Sequence, residues 1–365
     1  MTIEKTKVVE ALSKVMDPVS GQDIITLNMV LNLEVVDQNI NFSIELPNLA
    51  YPSKQELNFA CIQALQELYP SANVNVHLVA KGGGRTNTAP TNAVPQVKNI
   101  IAVASGKGGV GKSTIAVNLA LGLQKLGARV GLIDADLYGP SIPTMLGLQG
   151  QRPKVKEIYG KPRIVPLEAH GISTISIGFI IEPEQAVVLR GPRLSAIIKQ
   201  FFQDCLWPEL DYLIVDLPPG TGDIQLSLVQ TVPVTGVVLV TTPQEVALVD
   251  AIKAMNMFLL PNVSVPSLGV VENLSWFTPA DLPDHRSYLF GKGGGGKLAK
   301  ESKSMLLGQV PLVQAVREGG DAGQPIVLQD ANPAAEALLR VAKNTIQQVA
   351  LRHEVLAPTQ RVRMD

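Results

Sequence analysis

The sequence puts its clearest chemistry into nine consecutive residues: Gly106, Lys107, Gly108, Gly109, Val110, Gly111, Lys112, Ser113 and Thr114. The first eight fit the pattern G-x-x-x-x-G-K-S/T. Glycines lacking a β-carbon let backbone N–H groups curl around a phosphate, and the helix that follows directs its positive end there. In such a loop Lys112 neutralises the β- and γ-phosphates and the Ser113 hydroxyl binds Mg²⁺. The same residues also satisfy G-x-G-x-x-G at Gly106, Gly108 and Gly111, with Asp134 about 20 positions on, as a dinucleotide-binding turn requires. That rival has no use for Lys-Ser directly after the last glycine, and it leaves Asp216 unexplained.

Asp216 ends the apolar run DYLIVD, where a Mg²⁺-linked acid belongs in a P-loop NTPase. Asp134 and Asp136 lie in LIDADLYGPS, at the carboxyl end of another apolar run. Ligands of open α/β sheets bind at these strand ends, and period-two alternation points both carboxylates to one side. Asp136 is the candidate for orienting an attacking water. Asp216 leads into Leu217-Pro218-Pro219-Gly220-Thr221-Gly222-Asp223, a loop able to report the state of a γ-phosphate. Asp223 reads either as part of that loop or as the cap of the next helix.

These groups need a rigid frame. NIIAVAS, ARVGLIDAD, DYLIVDLPP, TGVVLVTTP and SLGVVEN read as strands buried on both faces, alternating with helical patterns such as TIAVNLALGLQKLG. That grammar predicts an α/β fold: a P-loop NTPase domain with a mostly parallel sheet flanked by helices, over residues 98–352. A small α+β domain is expected before it, over residues 1–80. There Val8, Leu12 and Val15 mark a helix closed by Asp17-Pro18, and Lys54 to Leu68 mark a second one. NMVLNLEVV, INFSIEL and ANVNVHLVA alternate as half-buried strands. Residues 81–97, KGGGRTNTAPTNAVPQV, have the composition of a flexible linker, and 353–365 read as a tail.

Composition excludes several classes. A hydrophobic fraction of 46% over 365 residues supports a sizeable core, and a net charge of −1 gives no global argument for nucleic acid or an anionic membrane. No signal-peptide pattern opens the chain and no run is long enough to span a bilayer, so a soluble, cytoplasmic protein is expected. The two cysteines, Cys61 and Cys205, are too far apart in sequence to read as a paired-thiol site.

With its additional lysine, GKGGVGKS resembles the deviant Walker A ATPases of the MinD/ParA group. Together with DADLYGPS, LRGPR, DLPPGTGD, TTPQEVALVD and GVVENLSWF it resembles the Mrp/ApbC branch, the iron–sulfur cluster carrier ATPases. The start of the chain, with VMDPVSGQDI, is similar to the small iron–sulfur assembly domain often fused to that branch. The resemblance implies an ATP- and Mg²⁺-dependent homodimer that serves iron–sulfur apoproteins and carries a 4Fe–4S cluster. It assigns Lys107 to phosphate in the partner subunit, Asp136 to the attacking water, Asp216 to Mg²⁺ through water, and Asn273 to the purine. Arg190 and Arg193 of LRGPR approach the nucleotide or interface in this reading, or are simply solvated. The alternative is a ParA/MinD-like positioning or scaffold ATPase without a cluster.

The sequence departs from the branch at its sulfur positions. The Cys-x-x-Cys that carriers place after Glu-Asn-x-Ser is absent here, and Tyr51 stands where the small domain usually has cysteine. No iron–sulfur ligands are identifiable; Asp281, Asp284 and His285 read as loop polarity, and Cys61 and Cys205 as small packed hydrophobes. Gly291-Lys292-Gly293-Gly294-Gly295-Gly296-Lys297 imitates a phosphate cradle, but with no buried strand feeding it a flexible loop or lid is expected. The last amphipathic helix, with Leu338, Val341, Ile346 and Val349, is expected to dock on the sheet rather than on a membrane.

Overall fold

The computed structural model describes the chain except residues 1–2, 28, 37, 47–50, 52, 71, 81–92, 137–138, 159–160, 181–190, 262, 280–281, 283–284, 358, 360 and 362–365, and the side chains of 36, 55, 79–80, 191–194 and 223. The chain divides into two compact units, Met1–Pro90 and Thr91–Asp365.

In the first unit, helix α1 (Lys5–Leu12) precedes strands β1 (Val30–Val36) and β2 (Asn39–Leu46); helix α2 (Lys54–Leu68) and strand β3 (Asn73–Ala80) follow. The sheet order is β1-β2-β3, antiparallel then parallel. Alternation along β2 sends Ile40, Phe42, Ile44 and Leu46 into a core shared with Leu57, Cys61 and Leu65 of α2. Helix α1 stops at Leu12, earlier than Asp17-Pro18. Lys14 and Val15 instead close tighter turns onto Ala11 and Leu12, and Val15 is still buried.

The second unit opens with residues inside the stretch expected as linker, where Val94 is already fully buried and Val97 begins β4 (Val97–Ser105). The following elements are α3 (Lys112–Lys125), β5 (Val130–Asp134), α4 (Ile142–Met145), β6 (Val155–Ile158), β7 (Lys161–Ile164), β8 (Leu167–Ala169), β9 (Ile172–Ser176), α5 (Gly191–Gln203) and β10 (Leu210–Asp216). After them come α6 (Asp223–Thr231), β11 (Gly236–Thr241), α7 (Glu245–Leu259), β12 (Ser267–Glu272), α8 (Gly294–Glu301), β13 (Leu306–Gln309), α9 (Gln314–Asp321) and α10 (Pro333–Val355). The main sheet runs β13-β12-β11-β4-β10-β5-β9-β8 and is parallel except for β8, which pairs antiparallel with β9. Every residue of β5 and β11 is buried, as expected of strands covered on both faces.

Strand β4 lies at the centre, with chain connections leaving toward both edges. Its carboxyl end is therefore the crevice where open α/β sheets bind ligands. Helix α3 packs on the sheet alongside α10, so closely that a β-carbon on Gly122 would lie 3.0 Å from Ala342 Cβ. Leu338, Val341 and Val349 of α10 are buried in this core. Each large apolar side chain buried there contributes about 1.5–3 kcal/mol, so the face expected to dock on the sheet is occupied by the core. The helix continues through Val355, past the start expected for the tail, and Arg352 holds the carbonyl of Ala357. Among the described residues no helix is long and apolar enough to cross a membrane.

Candidate functional site

The loop 106–111 leaves β4 and enters α3 with Gly111 at φ +82°. A β-carbon on Gly111 would lie 2.2 Å from Asn273 Nδ2, and one on Gly106 would lie 2.0 Å from the Asp250 backbone in α7. Neighbours thus require glycine at both positions, and at Gly111 the left-handed turn requires it as well. The Asn273 amide donates to the Val110 carbonyl at 2.8 Å, so the end of β12 holds the loop directly. Asn273, expected at the purine, acts here on the loop itself while also lining a cavity of about 430 Å³ beside Gly109, Gly111, Thr114, Pro311, Leu312 and Val313.

Lys112 is the pivot of the site. Its ammonium, only 6% exposed, lies 2.6 Å from Asp216 Oδ1, 3.3 Å from Asp136 Oδ2 and 3.3 Å from Ser113 Oγ. Three chain segments thus converge: the loop, the end of β10, and the residues after β5. Asp216 Oδ2 is buried and has no hydrogen-bond partner among the described residues. Burial pushes the Asp216 carboxyl upward, against the opposing pull of Lys112 and the Ser113 hydroxyl. A hydroxyl and a carboxylate oxygen awaiting a partner form a hard-oxygen donor set suited to Mg²⁺, which ordinarily takes few protein ligands and completes its shell with water and phosphate.

Asp134 does not turn toward Lys112 as its neighbour does. It is fully buried, accepts from Ser176 Oγ at 2.8 Å and from the Asp136 N–H at 3.1 Å, and so fixes the backbone that presents Asp136. Burial, reinforced by the Asp216 charge, raises the Asp134 carboxyl to about 8. Between 3.8 and about 8 the folded chain then keeps a proton that the unfolded chain has released. The stability contributed by this group is intact below that window and lost as pH rises through it, at up to about 1.4 kcal/mol per pH unit. Denaturant titrations of nucleotide-free protein across this range will show that fall, and Asp134→Asn will flatten it.

Lys107 is only partly buried, and its ammonium has no hydrogen bond or ion pair among the described residues. Arg190, Asp281 and Asp284 lie outside the described residues, as do the side chains of Arg193 and Asp223; the Asp223 backbone begins α6. His285 is exposed. Among the described residues no three His, Cys, Asp or Glu side chains gather to hold a metal ion. Cys61 and Cys205 are buried in their respective cores, and burial pushes both thiols up to about 12. Such thiols hold almost no thiolate at neutral pH. A thiol reagent will therefore find no fast-reacting group in native protein and two once denaturant is added; a fast native reaction would contradict this burial.

The second glycine run, expected as a flexible loop or lid, is loop over residues 291–293 and helix from Gly294 onward. Gly294 opens α8, and the Gly295 N–H donates to Glu272 Oε2 at 2.6 Å, so an internal carboxylate already fills that helix end. A β-carbon on Gly295 would lie 2.6 Å from Glu272 Cβ, and one on Gly294 would lie 2.7 Å from the Pro243 carbonyl. Gly294 and Gly295 are there for close packing, whereas a β-carbon on Gly293 or Gly296 would meet nothing within 4 Å. Ser176 had no motif to reveal it in sequence, since it closes the short run ISTIS; Glu272 stood inside the Glu-Asn-x-Ser segment, but no spacing showed that it would meet the start of α8.

A ParA family model described as NUBPL iron-transfer P-loop NTPase matches residues 96–346, and a model described as iron-sulfur cluster assembly protein matches residues 5–78. The iron-sulfur cluster carrier protein of Synechocystis sp. is 46% identical over 345 residues, spanning 94% of this chain and 97% of that protein. The iron-sulfur cluster carrier protein of Escherichia coli is 41% identical over 336 residues, 92% and 89% of the respective chains. Among solved structures, the ADP complex of a nucleotide-binding protein from Archaeoglobus fulgidus matches with a TM-score of 0.56 at 34% identity, covering 66% of this chain and 90% of that one. The cell division ATPase MinD of Pyrococcus furiosus matches at a TM-score of 0.50 and 20% identity over 68% of this chain and 99% of that one, a likeness of fold alone. With the phosphate loop, its two carboxylates and the parallel sheet in place, these matches identify the chain as a member of the NUBPL iron-transfer family of P-loop NTPases.

Proposed function

We propose that this protein binds ATP with Mg²⁺ at residues 106–114, hydrolyses the γ-phosphate bond, and uses that cycle to carry or assemble iron–sulfur clusters for apoproteins. The observation that carries the reading is the Lys112 ammonium held between Asp216 and Asp136 at the mouth of the loop. Phosphate entering the loop meets the backbone N–H groups of 106–111 and draws Lys112 away from the carboxylates. Ser113 Oγ and Asp216, the latter through water, would hold a Mg²⁺ ion, which would supply screening of the β- and γ-phosphate charge. Asp136 orients the attacking water and accepts its proton. Asn273, Leu312 and Val313 line the cavity available to the base. Lys107 reaches phosphate held by a partner subunit in a homodimer, adding positive charge to the transition state.

Relatives named as cluster carriers support an iron–sulfur role. Because the two cysteines are buried, the thiolates that hold the cargo come from donor or client proteins rather than from this chain. Phosphate release that stops on chelation and resumes with added Mg²⁺ is the expected result; protein inert with Mg²⁺ would remove the ATPase reading. Anaerobic reconstitution with iron and sulfide should leave the isolated chain colourless and iron-free after desalting. A stoichiometric four-iron cluster on the wild type would overturn the donated-thiolate assignment and leave the ATPase intact. The positioning-ATPase alternative has no observation of its own here, since the apolar face of α10 is spent on the core.

A further inference from the structure

The loop between β10 and α6 is held by a residue outside the phosphate site. Gln225, 1% exposed in the first turns of α6, donates from Nε2 to the Pro218 carbonyl at 2.9 Å and to the Gly220 carbonyl at 3.0 Å. Both acceptors are carbonyls, so only the NH₂ end of the amide can face them, and this fixes which way the side chain points. Its Oε1 is then left buried without a hydrogen-bond partner among the described residues. A buried amide oxygen normally finds a donor, and leaving one unpaired is costly.

The far side of the loop is pinned as well. Leu217 N–H donates to the Val103 carbonyl and Gly220 N–H to the Ser105 carbonyl, both on β4, so the loop is suspended between the strand that feeds the phosphate loop and Gln225. At its root Asp216 Oδ2 is a second orphaned acceptor. The geometry describes an arrangement satisfied at the strand and half satisfied at the helix. The part of the loop able to reach the orphan is Gly222: a β-carbon built there would lie 3.6 Å from Gln225 Oε1, in open contact with it.

We propose that Gln225 is a positioning residue that latches the 217–222 loop in two states. Without a γ-phosphate it holds the Pro218 and Gly220 carbonyls and its own oxygen goes unpaired. When the loop closes on a γ-phosphate, the Gly222 backbone N–H moves onto Oε1 and the latch becomes complete. Gln225 thereby adds a hydrogen bond to the triphosphate state that the diphosphate state lacks, and a ligand shifts such an equilibrium only by this kind of differential contact. The inference rests on the ATPase reading above.

The test is the ratio of two affinities on full-length protein, measured by calorimetry for ADP and for a non-hydrolysable ATP analogue, both with Mg²⁺. Gln225→Met keeps the length of the side chain and removes both donor and acceptor. It should weaken the analogue about tenfold, equivalent to about 1.4 kcal/mol, leave ADP within about twofold, and raise KM for ATP in step with the analogue. A purely structural role would weaken both nucleotides together; that result, or an unchanged ratio, overturns the proposal. Should Gln225→Met fail to melt cooperatively, Gly222→Ala decides. Its backbone, at φ −85°, accepts alanine, and the added methyl stands against Oε1 where the N–H must arrive. The same selective loss of analogue binding supports the latch, and an unchanged ratio overturns it. Wild type that binds neither nucleotide would instead refute the ATPase reading itself.

Discussion

Lys112→Ala lowers ATP hydrolysis by about 10²–10³-fold or more, the loss usual when one charge-stabilising donor is taken from a closed active site. The same substitution should destabilise the nucleotide-free protein. The ammonium lies 2.6 Å from a carboxylate with no exposure and 3.3 Å from a second that is nearly buried. Deleting the cation leaves two acids facing each other in a dry crevice, and breaking a buried pair on one side costs about 3–5 kcal/mol. The sign of the pH effect follows from burial, which already pushes Asp216 upward. Once Lys112 is gone Asp216 takes up a proton more readily, so the deficit is larger at an alkaline pH than at a mildly acidic one. Thermal melts of wild type and Lys112→Ala at the two pH values, alongside phosphate release, measure both effects. An equal deficit at both pH values would mean that the lysine is not the counter-ion of these acids.

Asp136→Asn is expected to separate chemistry from binding. In the nucleotide-free protein the carboxylate faces Lys112, so it competes with phosphate for that cation rather than assisting ground-state binding. Its removal should leave ADP affinity unchanged or slightly improved. kcat should fall by about 10²–10⁴-fold, the usual contribution of a positioned acid–base group. Single-turnover phosphate release together with an ADP titration reads the two numbers. Turnover retained within about threefold would move the water-positioning role to another residue. Lys112→Ala and Asp136→Asn touch the same ion pair, so their effects should not add.

The parts legible in sequence were those whose physics is local. The apolar runs became β4, β5, β10, β11 and β12, because a strand buried on both faces needs no partner information to be recognised. The loop 106–111 was legible because its glycines and lysine are fixed by contact with one ligand type. Shorter strands escaped notice: β8 and β13 have only three and four residues, too few to show a period, and β9 carries three hydroxyl residues in five. The glycine run 291–297 misled because composition records an absent β-carbon without recording what presses into the space. Here that is Glu272 at the end of β12 and Pro243 in the turn after β11, about 20 and 50 residues earlier in the chain.

By itself, then, the sequence determined the class of chemistry. A phosphate loop, a strand-end acid on each of two further strands, and a sheet to carry them follow from residue types and spacing over a few turns of chain. It also recorded, by counting, that the paired cysteines of the family pattern are missing. Only the tertiary structure decided the division of labour among the groups. It turned Asp136 and Asp216 onto Lys112 while handing Asp134 to Ser176, placed Asn273 on the loop carbonyl, and left Gln225 with one end of its amide unpaired. These roles depend on which side chains from distant segments meet inside a low-dielectric core. A hydrogen bond or ion pair there is set by distances of a few tenths of an ångström, which no spacing along the chain encodes.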